Sequence, residues 1–303
     1  MHARTRTVAT FYLLNRYSIV QAFKIPADFD DTFVNIGLGS LLMEQRLSFP
    51  NAFVEWTLNN TKLELAFDAL KTFSYCPFQQ DLDCSLIDPR TFFYLRDFLY
   101  EYENQGDIAL PATWAENITM QRTLFHKGVA MPFNLNNVDL TVTANVIYGI
   151  TAAILTELKY PSNAWFDKEL QQIYLNSTNL VAYQIAHNLS SRPDLALTYY
   201  PSVYNFYWFV ARTANLLNAA KSLPFPVLAT VRDTLNEALR GPATKTIMSA
   251  AENEGDMVYF DEFLGDADVD LEGAFNSMFS PFLGVELRHA LDMICYRLIA
   301  ADS

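Results

Sequence analysis

Apolar residues recur at helical spacing through nearly the whole chain, and almost nowhere do they alternate as a half-buried strand requires. The run "TVATFYLLNRYSIVQAF" (Thr7–Phe23) is the first of these, and Pro26 stops it by biasing Ile25 away from the helical region. After a short acidic stretch, Phe33, Ile36, Gly37 and Ser40 make one small-and-apolar stripe of a second helix. Further helices are predicted at "KLELAFDALKTFS", "RTFFYLRDFLYEYE" and "TVTANVIYGITAAILTEL". Beyond them come "WFDKELQQIYLNSTNLVAYQIAH", "SVYNFYWFVARTANLLNAA", "PVLATVRDTLNEALR" and "GVELRHALDMICYRLIAA". Gly106 to Asn137, rich in Pro and Asn, reads as a long surface excursion. No linker or abrupt change of composition divides residues 1–303, so the expectation is one all-α domain of antiparallel helix hairpins. No strict short repeat runs through it, which favours a closed arrangement over an open solenoid.

Composition narrows the function classes. Half of the 303 residues are hydrophobic (51%) and 18% are charged, enough apolar material for a sizeable core. The formal net charge of −13, with no Lys/Arg stripe to reverse it locally, argues against nucleic acid and anionic lipid as partners. No apolar run reaches the roughly 18–20 residues that cross a bilayer, so no transmembrane segment is expected. The opening "MHARTRTVAT" is basic but has neither an apolar h-region nor a small-residue cleavage site. Cys76 and Cys84 bracket "CPFQQDLDC" and would pair in an oxidising compartment, whereas Cys295 reads as a core residue. Sequons stand at Asn59, Asn117, Asn176 and Asn188. Together the cysteines and sequons lean toward a secreted or lumenal glycoprotein.

The usual catalytic signatures are missing: no HExxH, no GxSxG, no phosphate loop and no CxxC. "GLG" at Gly37–Gly39 has no strand before it, so it is not a dinucleotide loop. What stands out is "DFDDT", with Asp28, Asp30 and Asp31 inside four residues. Two readings compete. A helix N-terminus favours negative charge, so Asp31 or Thr32 would be its cap and the stretch a helix start. Alternatively, crowding in a half-buried site holds a proton on the group and makes a Brønsted acid. In "YNFYWFVAR", Tyr204 and Trp208 share a helical face with Tyr207 beside them, either as core or as the wall of a substrate pocket. Arg212 follows as a cavity charge or a surface residue. Asp266, Asp268 and Asp270 alternate like the start of a calcium loop, but Leu271 and Ser277 stand where an EF-hand needs Gly and Glu. A solvated acidic loop is the better reading there, with a loose calcium or magnesium site as its alternative. No other cofactor is indicated.

"DFDDT" resembles D-x-D-D-T of the class II terpene cyclases, the squalene–hopene and copalyl-type enzymes. "NNVDLTVTANVIYGI" resembles a segment of the same prenyltransferase-type toroid superfamily. The resemblance implies an α/α toroid of paired helices, with Asp30 as the acid that protonates an isoprenoid alkene or epoxide. Asp28 and Asp31 would support it, and the Phe, Tyr and Trp that make up 14% of the chain would line the cavity. A small apolar, isoprenoid-like ligand is the partner so implied. The Gln/Trp repeats of the squalene cyclases are absent, and "DDTFV" lacks the last Asp of DDxxD, so magnesium-assisted ionisation of a diphosphate is not implied. Two other functions stand beside this one. The first is a secreted α/α-barrel protein that binds or hydrolyses a carbohydrate with two carboxylates. The second is a non-catalytic toroid-fold binding protein.

Overall fold

The computed structural model describes residues 26–103, 106–129, 135–158, 161–254 and 257–259. Within them the chain is helical, apart from one three-rung hairpin (β1 Glu252–Glu254, β2 Met257–Tyr259) and two isolated bridges. The first run, Thr7–Phe23, lies outside the described residues. So do Cys295, the C-terminal run and the acidic trio Asp266, Asp268 and Asp270.

Three helices carry the site: α1 (Phe29–Glu44), α7 (Leu140–Thr156) and α10 (Val203–Ala219). Between the first two lie α2 (Pro50–Asn59), α3 (Glu64–Phe73), the single turn α4 (Leu82–Ser85), α5 (Pro89–Tyr102) and α6 (Ile118–His126). Then α8 (Lys168–Ala186) and the turn α9 (Pro193–Ala196) separate α7 from α10. Finally α11 (Pro226–Ala238) leads through a π-helical turn containing Pro242 into α12 (Thr244–Ala250).

Helix starts follow the side chains available to bind free backbone N–H groups. Asp28, Asp88, Asn117, Asp139, Asp167 and Ser202 each cap the helix that follows with a side-chain oxygen. Pro89 sits at the first position of α5, where no N–H is needed.

Helix α7 is the axis of the molecule. Fourteen of its 17 residues are buried, and its apolar character runs all round instead of along one stripe. It packs against α1, α8 and α10. The α1–α7 contact is close because glycines permit it. A Cβ at Gly149 would lie 2.5 Å from the Phe33 carbonyl oxygen, and one at Gly37 2.2 Å from the Tyr148 ring. "GLG" is therefore a helix-packing device: Gly37 receives Tyr148, and Gly39 receives the buried Trp56. Much of the aromatic surplus fills the interior. Phe29, Phe33, Phe98, Phe166, Phe206, Tyr94, Tyr174 and Tyr207 are all essentially inaccessible, and Phe67 stacks on Trp165 at 3.9 Å.

Within the expected surface excursion 106–137, the part from 108 to 116 is mostly interior, whereas α6 after it is mostly exposed. Ile108, Leu110, Ala112, Thr113 and Glu116 are buried, and the segment threads between other elements by backbone pairing. Leu110 exchanges both hydrogen bonds with Tyr75, at 2.7 and 3.0 Å. Thr113 donates to Asn137 and accepts from Phe29. Its Pro and Asn content marks irregular backbone, and here that backbone finds its hydrogen bonds inside the protein. The stretch also contains α6, which its weak periodicity concealed, as did the mostly exposed α2.

Candidate functional site

The three aspartates of "DFDDT" are sent to three different environments. Asp28, not Asp31 or Thr32, is the α1 cap, because the helix starts one residue after it: its φ of −99° and ψ of 157° are extended, and its Oδ1 accepts the Asp31 N–H at 2.6 Å. Burial pushes its carboxyl up, with the Asp31 and Asp30 charges adding to the shift and the Asp31 N–H opposing it. Asp31 is exposed on the outer side of α1. Asp30 turns inward. One of its oxygens accepts the Asn145 Nδ2 of α7, and the other accepts the Tyr200 hydroxyl at 2.6 Å. That hydroxyl is held in its donor form, because burial and the Asp30 contact both raise it.

Asn145 is a bridge. Only 1% exposed, it gives its amide to Asp30 and its carbonyl oxygen accepts from Arg212 Nη2 of α10. The guanidinium lies over three rings, 4.0 Å from Tyr148, 4.9 Å from Phe209 and 5.2 Å from Trp208. Ring faces are negative, so they offset part of the cost of taking a cation out of water. Burial lowers the Arg212 guanidinium to about 10, against the pull of Tyr148 and Asp30. It therefore stays charged at neutral pH, and its Nε is buried without a partner. Arg212 is thus a partly buried cation held among three rings, not the surface residue that was its second alternative.

Beneath this cluster lies a second carboxylate. Asp139 is fully buried and caps α7, accepting the Thr141 N–H at 2.8 Å and the Val142 N–H at 3.2 Å. Its other oxygen accepts the Tyr199 N–H at 3.2 Å, so neighbouring Tyr199 and Tyr200 tie the segment before α10 to both acids. The aromatic candidates separate. Trp208 joins the ring set around Arg212, Tyr207 is core at 1% exposure against Phe206, and Tyr204 is half-buried at the edge of the core.

A groove of about 520 Å³ opens on the other side of α1, lined by Asp31, Thr32, Asn35, Asn60, Thr61 and Lys62 among others. Its inner wall is organised: Trp56 Nε1 donates to Asn35 Oδ1 at 2.9 Å, and Asn35 donates to Asn60 Oδ1 at 2.7 Å. Cys76 and Cys84 are free thiols on adjacent strands of chain, the Cys76 N–H donating to the Cys84 carbonyl at 2.8 Å. Among the sequons, Asn59 and Asn188 are exposed, and Asn117 caps α6. Asn176 is buried, with its amide turned toward the Asp107 and Ala109 carbonyls.

Among the described residues, no group of three or more His, Cys, Asp or Glu could hold a metal ion, and no helix is long and apolar enough to cross a membrane. Sequence reasoning singled out Asp30, Trp208 and Arg212 but missed Asn145, Tyr148 and Tyr200. Their local signal was the "TANVIYG" segment and the paired tyrosines before α10; neither says who the partner is. The chain matches no family profile, no curated protein and no solved structure.

Proposed function

We propose that this chain is a helical binding protein rather than a catalyst, and that the groove beside α1 receives a neutral, hydroxyl-rich ligand of the carbohydrate class. The observation that carries the reading is the saturation of Asp30. Both its oxygens accept internal donors, and the ring faces beside it hold the protein's own Arg212. A general acid must instead aim its proton at a substrate atom within hydrogen-bond reach. The groove offers what a sugar needs: amides, hydroxyls, one carboxylate and one ammonium around the apolar floor of Ile36, Leu63 and Ala66. A secreted or lumenal setting fits this reading, supported by the exposed sequons at Asn59 and Asn188.

A second reading keeps the acid chemistry: Asp30 protonating an isoprenoid alkene or epoxide inside a toroid of paired helices. Its support is convergence, because "DFDDT", "TANVIYG" and "YYPSVYNFYWFVAR" meet around one carboxylate. The central position of α7 counts against a hollow centre. Asp30→Asn separates the two. The binding reading expects a lower unfolding midpoint and unchanged affinity for an oligosaccharide panel. An unchanged midpoint, with turnover of an isoprenoid substrate abolished, would instead establish the acid.

A further inference from the structure

Away from that junction, the segment leading into α6 buries a carboxylate that no described residue balances. Glu116 is 2% exposed, and among the described residues neither of its side-chain oxygens has a hydrogen-bond partner. Its backbone is fully used: the N–H donates to Trp114 at 2.8 Å, and the carbonyl accepts Asn136 Nδ2 at 3.0 Å. The side chain is therefore held in place while its charge is left over. Two more buried polar atoms of the same stretch, Thr113 Oγ1 and Asn137 Nδ2, are also unpartnered.

Glu116 lines a cavity of about 20 Å³ whose other polar side chains include Tyr75, Asp83, Cys84, Asn117 and Asn136. Such a space admits about one water-sized body, since roughly 10–15 Å³ suffices for a water. The start of α6 lies beside it and favours an anion by about 0.3–1 kcal/mol. That falls short of the several kcal/mol an uncompensated buried ion costs. Burial accordingly pushes the Glu116 carboxyl up to about 7. The other titratable groups facing the cavity do not replace the missing counter-charge. Tyr75 and Cys84 are both raised by burial and neutral, and Asp83, itself acidic, accepts from Thr119 Oγ1 at 3.0 Å.

We propose that the Glu116 cavity is a binding site for a monovalent cation of potassium or ammonium size. Size sets the upper limit, and the donor set fixes the charge. A calcium ion collects six to eight oxygens, usually with several carboxylates, and no such cluster exists among the described residues. Asp83 also lines the cavity but is engaged by Thr119, whereas Glu116 has neither oxygen engaged, and that one unengaged carboxylate matches a single positive charge.

The test is thermal unfolding of the whole chain at one ionic strength in potassium, ammonium or tetramethylammonium chloride, the last being too large to enter. At about pH 8, potassium or ammonium should raise Tm by about 2–4 °C over tetramethylammonium. The difference should vanish in Glu116→Gln, and at about pH 5, where the carboxyl holds a proton. Thallium-205 NMR on the unsubstituted protein reads occupancy directly, whatever the stability of the variant, as a bound line that potassium displaces. Equal Tm in all three salts, a salt difference that survives Glu116→Gln, or the absence of a displaceable thallium line would each overturn the proposal.

Discussion

Asp30 and Glu116 are both acids drawn away from water, yet the protein treats them in opposite ways. Asp30 meets a donor on each oxygen and, one amide further, a cation stacked on three rings. Glu116 lines a small cavity with polar neighbours, yet neither of its oxygens accepts a hydrogen bond from a described residue. The difference teaches what burial alone does to a carboxyl and what partners undo. A charge inside a completed network binds helices together, whereas a charge left over becomes a group that titrates near neutrality.

The largest expected effect comes from breaking the completed network. Asp30→Asn turns an amide toward the Asn145 amide and strands Arg212, so stability should fall by about 3–5 kcal/mol in urea unfolding. Glu116→Gln should do the reverse, and only at the right pH. The Glu116 carboxyl lies at about 7 in the fold, up from an ordinary 4.5, so the folded state holds the proton more tightly. Its stabilising contribution is therefore full below about pH 4.5 and is lost as pH rises through 7. In tetramethylammonium chloride the Gln variant should flatten that decline, by up to on the order of 3 kcal/mol. Unfolding curves across that window read it. The smallest effect concerns the packing that brings Asp30 to Asn145. Gly149→Ala drives a Cβ into the Phe33 backbone and should cost about 1–3 kcal/mol. Gly241→Ala, with nothing within 4 Å, should cost almost nothing by the same measurement.

The helices were legible because their causes are local. The acidic stretch before Phe33, Ile36 and Gly37 announces both a helix start and a buried stripe, and the structure has both, with the cap at Asp28 instead of Asp31 or Thr32. The two ends of the Asp30 network were also visible as motifs, since "DFDDT" and "YNFYWFVAR" are unusual in composition. Asn145, by contrast, looks like any polar residue in an apolar helix until the fold brings it 115 residues back to Asp30. Glu116 was hidden for a related reason. Local pattern gave 106–137 the look of surface chain, and only pairing with Tyr75, Phe29 and Asn137 makes its 108–116 part interior. Where backbone hydrogen bonds close over distance, periodicity carries no trace of the burial.

The central claim is that Asp30 and Arg212 stabilise one another through Asn145, across the junction of α1, α7 and α10. A double-mutant cycle of Asp30→Asn and Arg212→Gln, read by urea unfolding, measures that dependence directly. The account predicts a coupling of at least about 1 kcal/mol, with the double variant more stable than the two single losses imply. Strict additivity, within about 0.3–0.5 kcal/mol, would contradict it and return Asp30 to the role of an unengaged acid.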